Sequence, residues 1–92
     1  MADGEYIPDA LVMNIYPNPA HNMAGIKLTT PDGGKYALKL TDVYGRELIS
    51  QICEAEAGEN YFEIDLSKVP PGNYIVSVQL QSDRIQKMII VE

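Results

Sequence analysis

An all-β fold, a seven-stranded immunoglobulin-like Greek-key β-sandwich, is predicted by three observations on this 92-residue chain. Apolar and polar residues alternate from Leu11 onward. Turn-forming clusters break that alternation about every 8 to 12 residues. No stretch carries the periodicity of the helix that a parallel crossover between strands would need.

The elements follow in order. Leu11, Met13 and Ile15 share one face of a first strand, which ends at Pro17 because proline donates no hydrogen bond to a ladder. Pro17-Asn18-Pro19 makes the turn, with Asn18 biased to extended backbone by the proline after it. Ala24, Ile26 and Leu28 then alternate with Gly25 and Lys27, and Pro31-Asp32-Gly33-Gly34 turns the chain. Tyr36, Leu38 and Leu40 face inward against Ala37, Lys39 and Thr41. Val43-Tyr44-Gly45-Arg46 reads as a tight hairpin with positive φ at Gly45, returning the chain into a fourth strand from Glu47 to Glu54.

An acidic connection from Glu54 to Asn60 leads to a fifth strand, where Phe62, Ile64 and Leu66 alternate with Tyr61, Glu63 and Asp65. Leu66 to Pro71 has room for one helical turn capped by Ser67. Pro71-Gly72-Asn73 launches a sixth strand, with positive φ expected at Gly72. In that strand Tyr74, Val76, Val78 and Leu80 oppose Ile75, Ser77 and Gln79. A short turn after Leu80 precedes a seventh strand running from about Arg84 to Val91.

Composition bounds the function. A single domain of this length buries only somewhat more than about 60% of its unfolded surface, so the core is thin. Net charge is −6, and the seven cations, from Lys27 to Lys87, form no cluster. A phosphate backbone is bound through a basic patch, so no nucleic acid is expected as a partner. The longest uncharged apolar run, Met88 to Val91, is far short of the roughly 20 residues of a membrane span, which predicts a soluble domain. Cys53 is the one cysteine, so no internal disulfide forms. Its neighbours Ile49 and Ile52 suggest a small buried hydrophobe rather than a reactive thiol, although oxidation would link two chains.

No constellation supports catalysis. His21 is the only histidine and sits in the loop after Pro19, where solvation is expected. Zinc sites of repeated Cys and His are excluded by count. Glu54, Glu56 and Glu59, separated by alanines and lacking a sharp glycine turn, read as a solvated acidic loop rather than a calcium site. Asp32-Gly33-Gly34 lacks the strand-to-helix setting of a phosphate loop. No cofactor or metal is expected, and no enzyme.

The strands and their edges remain as the working surface. A small open sandwich leaves edge strands to which a partner, or a second copy of the chain, adds a strand. The final strand places Ile85, Lys87, Ile89 and Val91 on one face and Met88 and Ile90 on the other. That is unusually apolar for an exposed edge, and a strand simply buried between two sheets is the competing reading. A homodimer by edge-strand pairing or exchange follows from the first reading.

Four motifs in this order carry a family resemblance: Tyr16-Pro17-Asn18-Pro19-Ala20, Thr41-Asp42-Val43-Tyr44-Gly45-Arg46-Glu47-Leu48, Ile64-Asp65-Leu66-Ser67 leading into Val69-Pro70-Pro71-Gly72-Asn73-Tyr74, and the closing Lys87-Met88-Ile89-Ile90-Val91. Together they resemble the C-terminal sorting domain, in its type A form, of proteins exported by the type IX (Por) secretion system of Bacteroidetes. The resemblance runs from about Leu11 to Glu92.

The resemblance implies a non-catalytic C-terminal signal, recognised as a folded domain by the outer-membrane translocon. That signal carries an N-terminal passenger through the periplasm to the outer membrane and cell surface. A gingipain-like sortase then cuts just upstream and joins the passenger to an anionic lipopolysaccharide. Carried over, Lys87, Met88, Ile89, Ile90, Val91 and Glu92 form the recognition signal. Pro17, Asn18, Pro19, Gly45, Arg46, Pro71, Gly72 and Asn73 are scaffold turns. Met1, Ala2, Asp3, Gly4, Glu5, Tyr6, Ile7, Pro8, Asp9 and Ala10 hold the cleavage linker.

Those ten residues lack the charged and apolar regions of a secretory signal, so a natively complete chain of this kind is expected to stay in the cytoplasm. Under the resemblance they are instead a linker remnant or a cloning start before a sorting domain at 11–92. Two other readings stand beside the first. One is a retained, uncleaved sorting-type domain that docks or signals within the secretion system. The other is an adhesive or carbohydrate-binding sandwich, which would display exposed tyrosines on one face.

Overall fold

In the computed structural model residues 11–80 and 83–92 are described, and among them there are seven strands and no helix. They are β1 (Val12–Tyr16), β2 (Met23–Thr30), β3 (Gly34–Asp42), β4 (Glu47–Ala55), β5 (Gly58–Asp65), β6 (Gly72–Leu80) and β7 (Asp83–Val91). All pairings are antiparallel, in two sheets ordered β1-β2-β5 and β4-β3-β6-β7. The chain therefore changes sheet between β2 and β3, between β4 and β5, and between β5 and β6. Both the cleavage linker expected at residues 1–10 and part of the turn after Leu80 lie outside the described residues.

Alternation decides which side chains fill the space between the sheets. Met13, Ala24, Ile26, Leu28 and Ile64 come from one sheet; Tyr36, Leu38, Leu40, Val76, Val78, Ile89 and Val91 come from the other, and all are buried. Burying an aliphatic side chain of this size stabilises by about 1.5–3 kcal/mol relative to leaving it in water. Cys53 joins this core, in agreement with its apolar neighbours. The tyrosines divide: Tyr36 and Tyr74 are buried, whereas Tyr16, Tyr44 and Tyr61 are exposed.

Two local expectations change. The acidic connection is shorter than its composition suggests: β4 runs to Ala55 and β5 starts at Gly58, leaving Glu56 and Ala57 between them. Asn60 makes that reversal possible, accepting from the Glu56 N–H at 2.9 Å and donating to the Glu56 carbonyl at 2.7 Å. An amide that serves both groups of one residue replaces a ladder rung. The helical turn expected after Leu66 is instead a β-turn, closed by Val69 N–H on the Leu66 carbonyl at 3.0 Å. Its capping group is the Asp65 carboxylate, which accepts from Ser67 N–H at 2.9 Å.

Candidate functional site

β7 is an edge strand by sheet order, yet its two halves differ. Ile89 and Val91 enter the core opposite Tyr74 and Gly72 of β6. Met88 and Ile90 project from the other face, 58% and 42% exposed, with Ile75 and Asn73 as their cross-strand partners. Lys87 has the inward parity of Ile89 and Val91 but is exposed, whereas Ile85 on the same parity packs against the core. A charge of inward parity is one of the devices that keep edge strands from pairing with other chains.

The Pro17-Asn18-Pro19 turn lies against this strand, and both X-Pro bonds, Tyr16-Pro17 and Asn18-Pro19, are cis. Asn18 Oδ1 accepts from the Ile90 N–H at 3.0 Å, 72 residues away in sequence. Ala20, fully buried, donates its N–H to the Ile90 carbonyl and accepts from the Glu92 N–H, both at 2.8 Å. His21 Nε2 approaches Glu92 Oε1 at 3.8 Å, both side chains exposed. The first and last motifs of the chain are thus one structural unit, and over Met88 to Glu92 the outer edge of β7 is already occupied. An added strand has access only to the upstream half of β7 or to another edge.

Gly45 and Arg46 belong to a turn organised by a residue that sequence reading passed over. Asp42 Oδ1 accepts from the N–H groups of Tyr44 and Arg46, both at 2.9 Å, and Oδ2 accepts from Arg46 Nε at 2.8 Å. Gly45 N–H bonds the Asp42 carbonyl at 3.0 Å, with φ at 90° on the glycine. The hydrogen bond from the Arg46 side chain, then that from its backbone, holds the Asp42 carboxyl below the ordinary aspartate value. An Asp immediately before a Gly-containing hairpin tip was the available signal. Gly72 has φ at 157°, and Tyr74 OH donates to the Pro70 carbonyl at 2.6 Å, across the exposed Pro71.

Other surfaces offer less. Among the described residues no group of three His, Cys, Asp or Glu is placed to hold a metal. Tyr16 and Tyr61 do share the outer face of the three-stranded sheet, the display that a carbohydrate binder would use. The Tyr16 ring, however, covers Gly25, where an added Cβ would stand 2.7 Å from its Cε2. Tyr61 OH bonds Glu59, itself paired with Lys27 at 3.1 Å. Both tyrosines thus have structural duties on their own sheet.

Compared with known families, residues 14–92 match the one described as the secretion system C-terminal sorting domain. A search of curated proteins finds no match. The matched segment contains every strand from β2 to β7 and most of β1, and it includes the Asn18 turn, the Asp42 turn, the Gly72 turn and the closing strand together. The chain belongs to the secretion system C-terminal sorting domain family, the sorting domain of type IX secretion.

Proposed function

We propose that this domain is a non-catalytic secretion signal that takes an N-terminal passenger across the outer membrane, with residues 11–92 as the recognised unit. Members of this family belong to secreted proteins carried to the outer membrane or cell surface, and membership implies contact with the secretion machinery. The observation that carries the reading is the state of Lys87 to Glu92: a strand as far as Val91, with Ile89 and Val91 in the core and Met88 and Ile90 turned outward. On this reading the machinery recognises that segment, the scaffold turns hold it in place, and removal and cell-surface anchoring of the passenger follow a cut within residues 1–10.

The immunoglobulin-like Greek-key assignment is part of the same proposal. The sheet orders β1-β2-β5 and β4-β3-β6-β7 support it, as does the Tyr74 hydroxyl bonded back to Pro70 at the start of β6, the arrangement of a tyrosine corner.

The test is to fuse the chain to the end of a periplasm-directed reporter in a type IX-competent bacterium. The reporter is expected at the cell surface, and in a strain lacking the secretion system it is expected in the periplasm. A reporter that stays in the periplasm of the competent strain would exclude the sorting function.

A further inference from the structure

The last residues of an edge strand ordinarily fray, because their outer donors and acceptors join no ladder. The end of β7 is held on both sides. β6 takes one edge, pairing Asn73 with Ile90 and Gly72 with Val91. On the other edge Asn18 Oδ1 accepts the Ile90 N–H at 3.0 Å, and Asn18 Nδ2 donates to the Met88 carbonyl at 3.4 Å. Ala20 supplies two further backbone bonds, to Ile90 and Glu92, and bridges Val91 in parallel register. The far end of the same loop is tied to the other sheet, where the Asn22 carbonyl accepts from Leu66 N–H at 2.8 Å. The clasp therefore connects the closing strand to the body of the sandwich.

This occupancy restricts how a partner reads the strand. With the Met88 carbonyl, both backbone groups of Ile90 and the Glu92 N–H engaged on the outer edge, strand addition is obstructed there, and the side chains are what remains. Met88 and Ile90 stand next to each other on one outward face, with Ile75 directly across from Met88. A segment already held in one conformation also loses less entropy on binding than a loose tail would.

We propose that the signal is composite. Asn18 is a positioning residue that keeps Lys87 to Glu92 in strand form, and the secretion machinery reads the held strand face-on, through an apolar surface that receives Met88 and Ile90. This inference rests on the sorting function proposed above.

The test uses reporter fusions of the full chain carrying Asn18→Ala, Asn18→Asp, or Met88→Gln with Ile90→Thr. Surface delivery, thermal melting and hydrogen exchange at the Ile90 amide are measured for each. Asn18→Ala is expected to keep a cooperative melt, to speed Ile90 exchange by about tenfold, the ratio set by a net hydrogen bond or so, and to lower surface delivery several-fold. Asn18→Asp keeps an oxygen acceptor for the same N–H but loses the donor to the Met88 carbonyl, and is expected to recover both in part. The Met88/Ile90 pair is expected to lose delivery with its melt unchanged.

Parental delivery by a folded Asn18→Ala with fast Ile90 exchange overturns the positioning role. Parental delivery by the Met88/Ile90 variant overturns the face-on reading. If Asn18→Ala fails to fold, Asn18→Asp and the Met88/Ile90 pair still decide. A parent fusion held in the periplasm is a different result, since it removes the sorting function and this inference with it.

Discussion

Asp42 and Arg46 close a turn on each other from both directions. The Asp42 N–H donates to the Arg46 carbonyl at 2.9 Å, while the Asp42 carboxylate accepts both the Arg46 N–H and its Nε–H. Nearly buried, with its side chain 11% exposed, that carboxylate organises the turn that joins β3 to β4 within the four-stranded sheet.

The Asp42 turn makes stability acid-sensitive in a defined direction. Because the folded carboxyl titrates below its ordinary value of 3.8, the stabilisation is present above that value and is lost as pH falls through the lower, folded one. Melting temperature measured from neutral pH down through the carboxylate range should fall more for the parent than for Asp42→Asn. The amide keeps an acceptor for the two backbone N–H groups but has no charge to lose. Parallel melting curves for the two proteins would remove Asp42 from this role.

Gly45 and Gly72 lie at φ 90° and 157°, in a region that side chains with a Cβ rarely adopt. At Gly45 an added Cβ meets nothing within 4 Å, so its penalty is backbone strain alone. Exchanging either for Val is expected to cost about 1–3 kcal/mol. Ser50→Val, on an exposed strand position, should stay within about 0.5 kcal/mol of the parent. Chemical denaturation of the three variants decides, and equal midpoints would argue against strain.

Tyr36 places a hydroxyl in the core that serves the Asp32 carbonyl at 2.8 Å and the Thr30 hydroxyl. Thr30 Oγ1 also accepts from the Asp32 N–H at 3.2 Å, so this group of three closes the turn that leads from β2 into β3. Tyr36→Phe keeps the ring's packing and removes one shared partner, at an expected cost of about 1–2 kcal/mol. That corresponds to a loss of roughly 4–16 °C in melting temperature for a domain of this size. An unchanged Tm would mean the hydroxyl contributes nothing net.

Self-association, if it uses an edge, should use β4. The end of β7 is clasped and carries Lys87, whereas Leu48 to Cys53 on β4 is uncharged and Ile52 is 66% exposed. Light scattering is expected to show dimer increasing with concentration for the parent and monomer throughout for Ile52→Lys, since a lysine on an edge opposes pairing. A parent that remains monomeric at high concentration, or an Ile52→Lys dimer, would dismiss this edge.

The sequence alone determined the strands and their faces. Tyr36, Leu38 and Leu40 against Ala37, Lys39 and Thr41 is a period-2 pattern written within one segment, and the pleat converts it directly into inside and outside. Gly45 and Gly72 were legible for the same reason, because a glycine among turn formers states a local backbone need. The family motifs were legible as short strings.

Which residues meet is set by the packing of the two sheets. Alternation is the same for any register and any neighbour, so nothing local in Asn18 names Ile90, 72 residues away, as its partner. The same limit explains why Lys87 and Ile89 share a face by parity yet end in water and in the core. Which inward-parity positions are covered is a property of two packed sheets rather than of one strand.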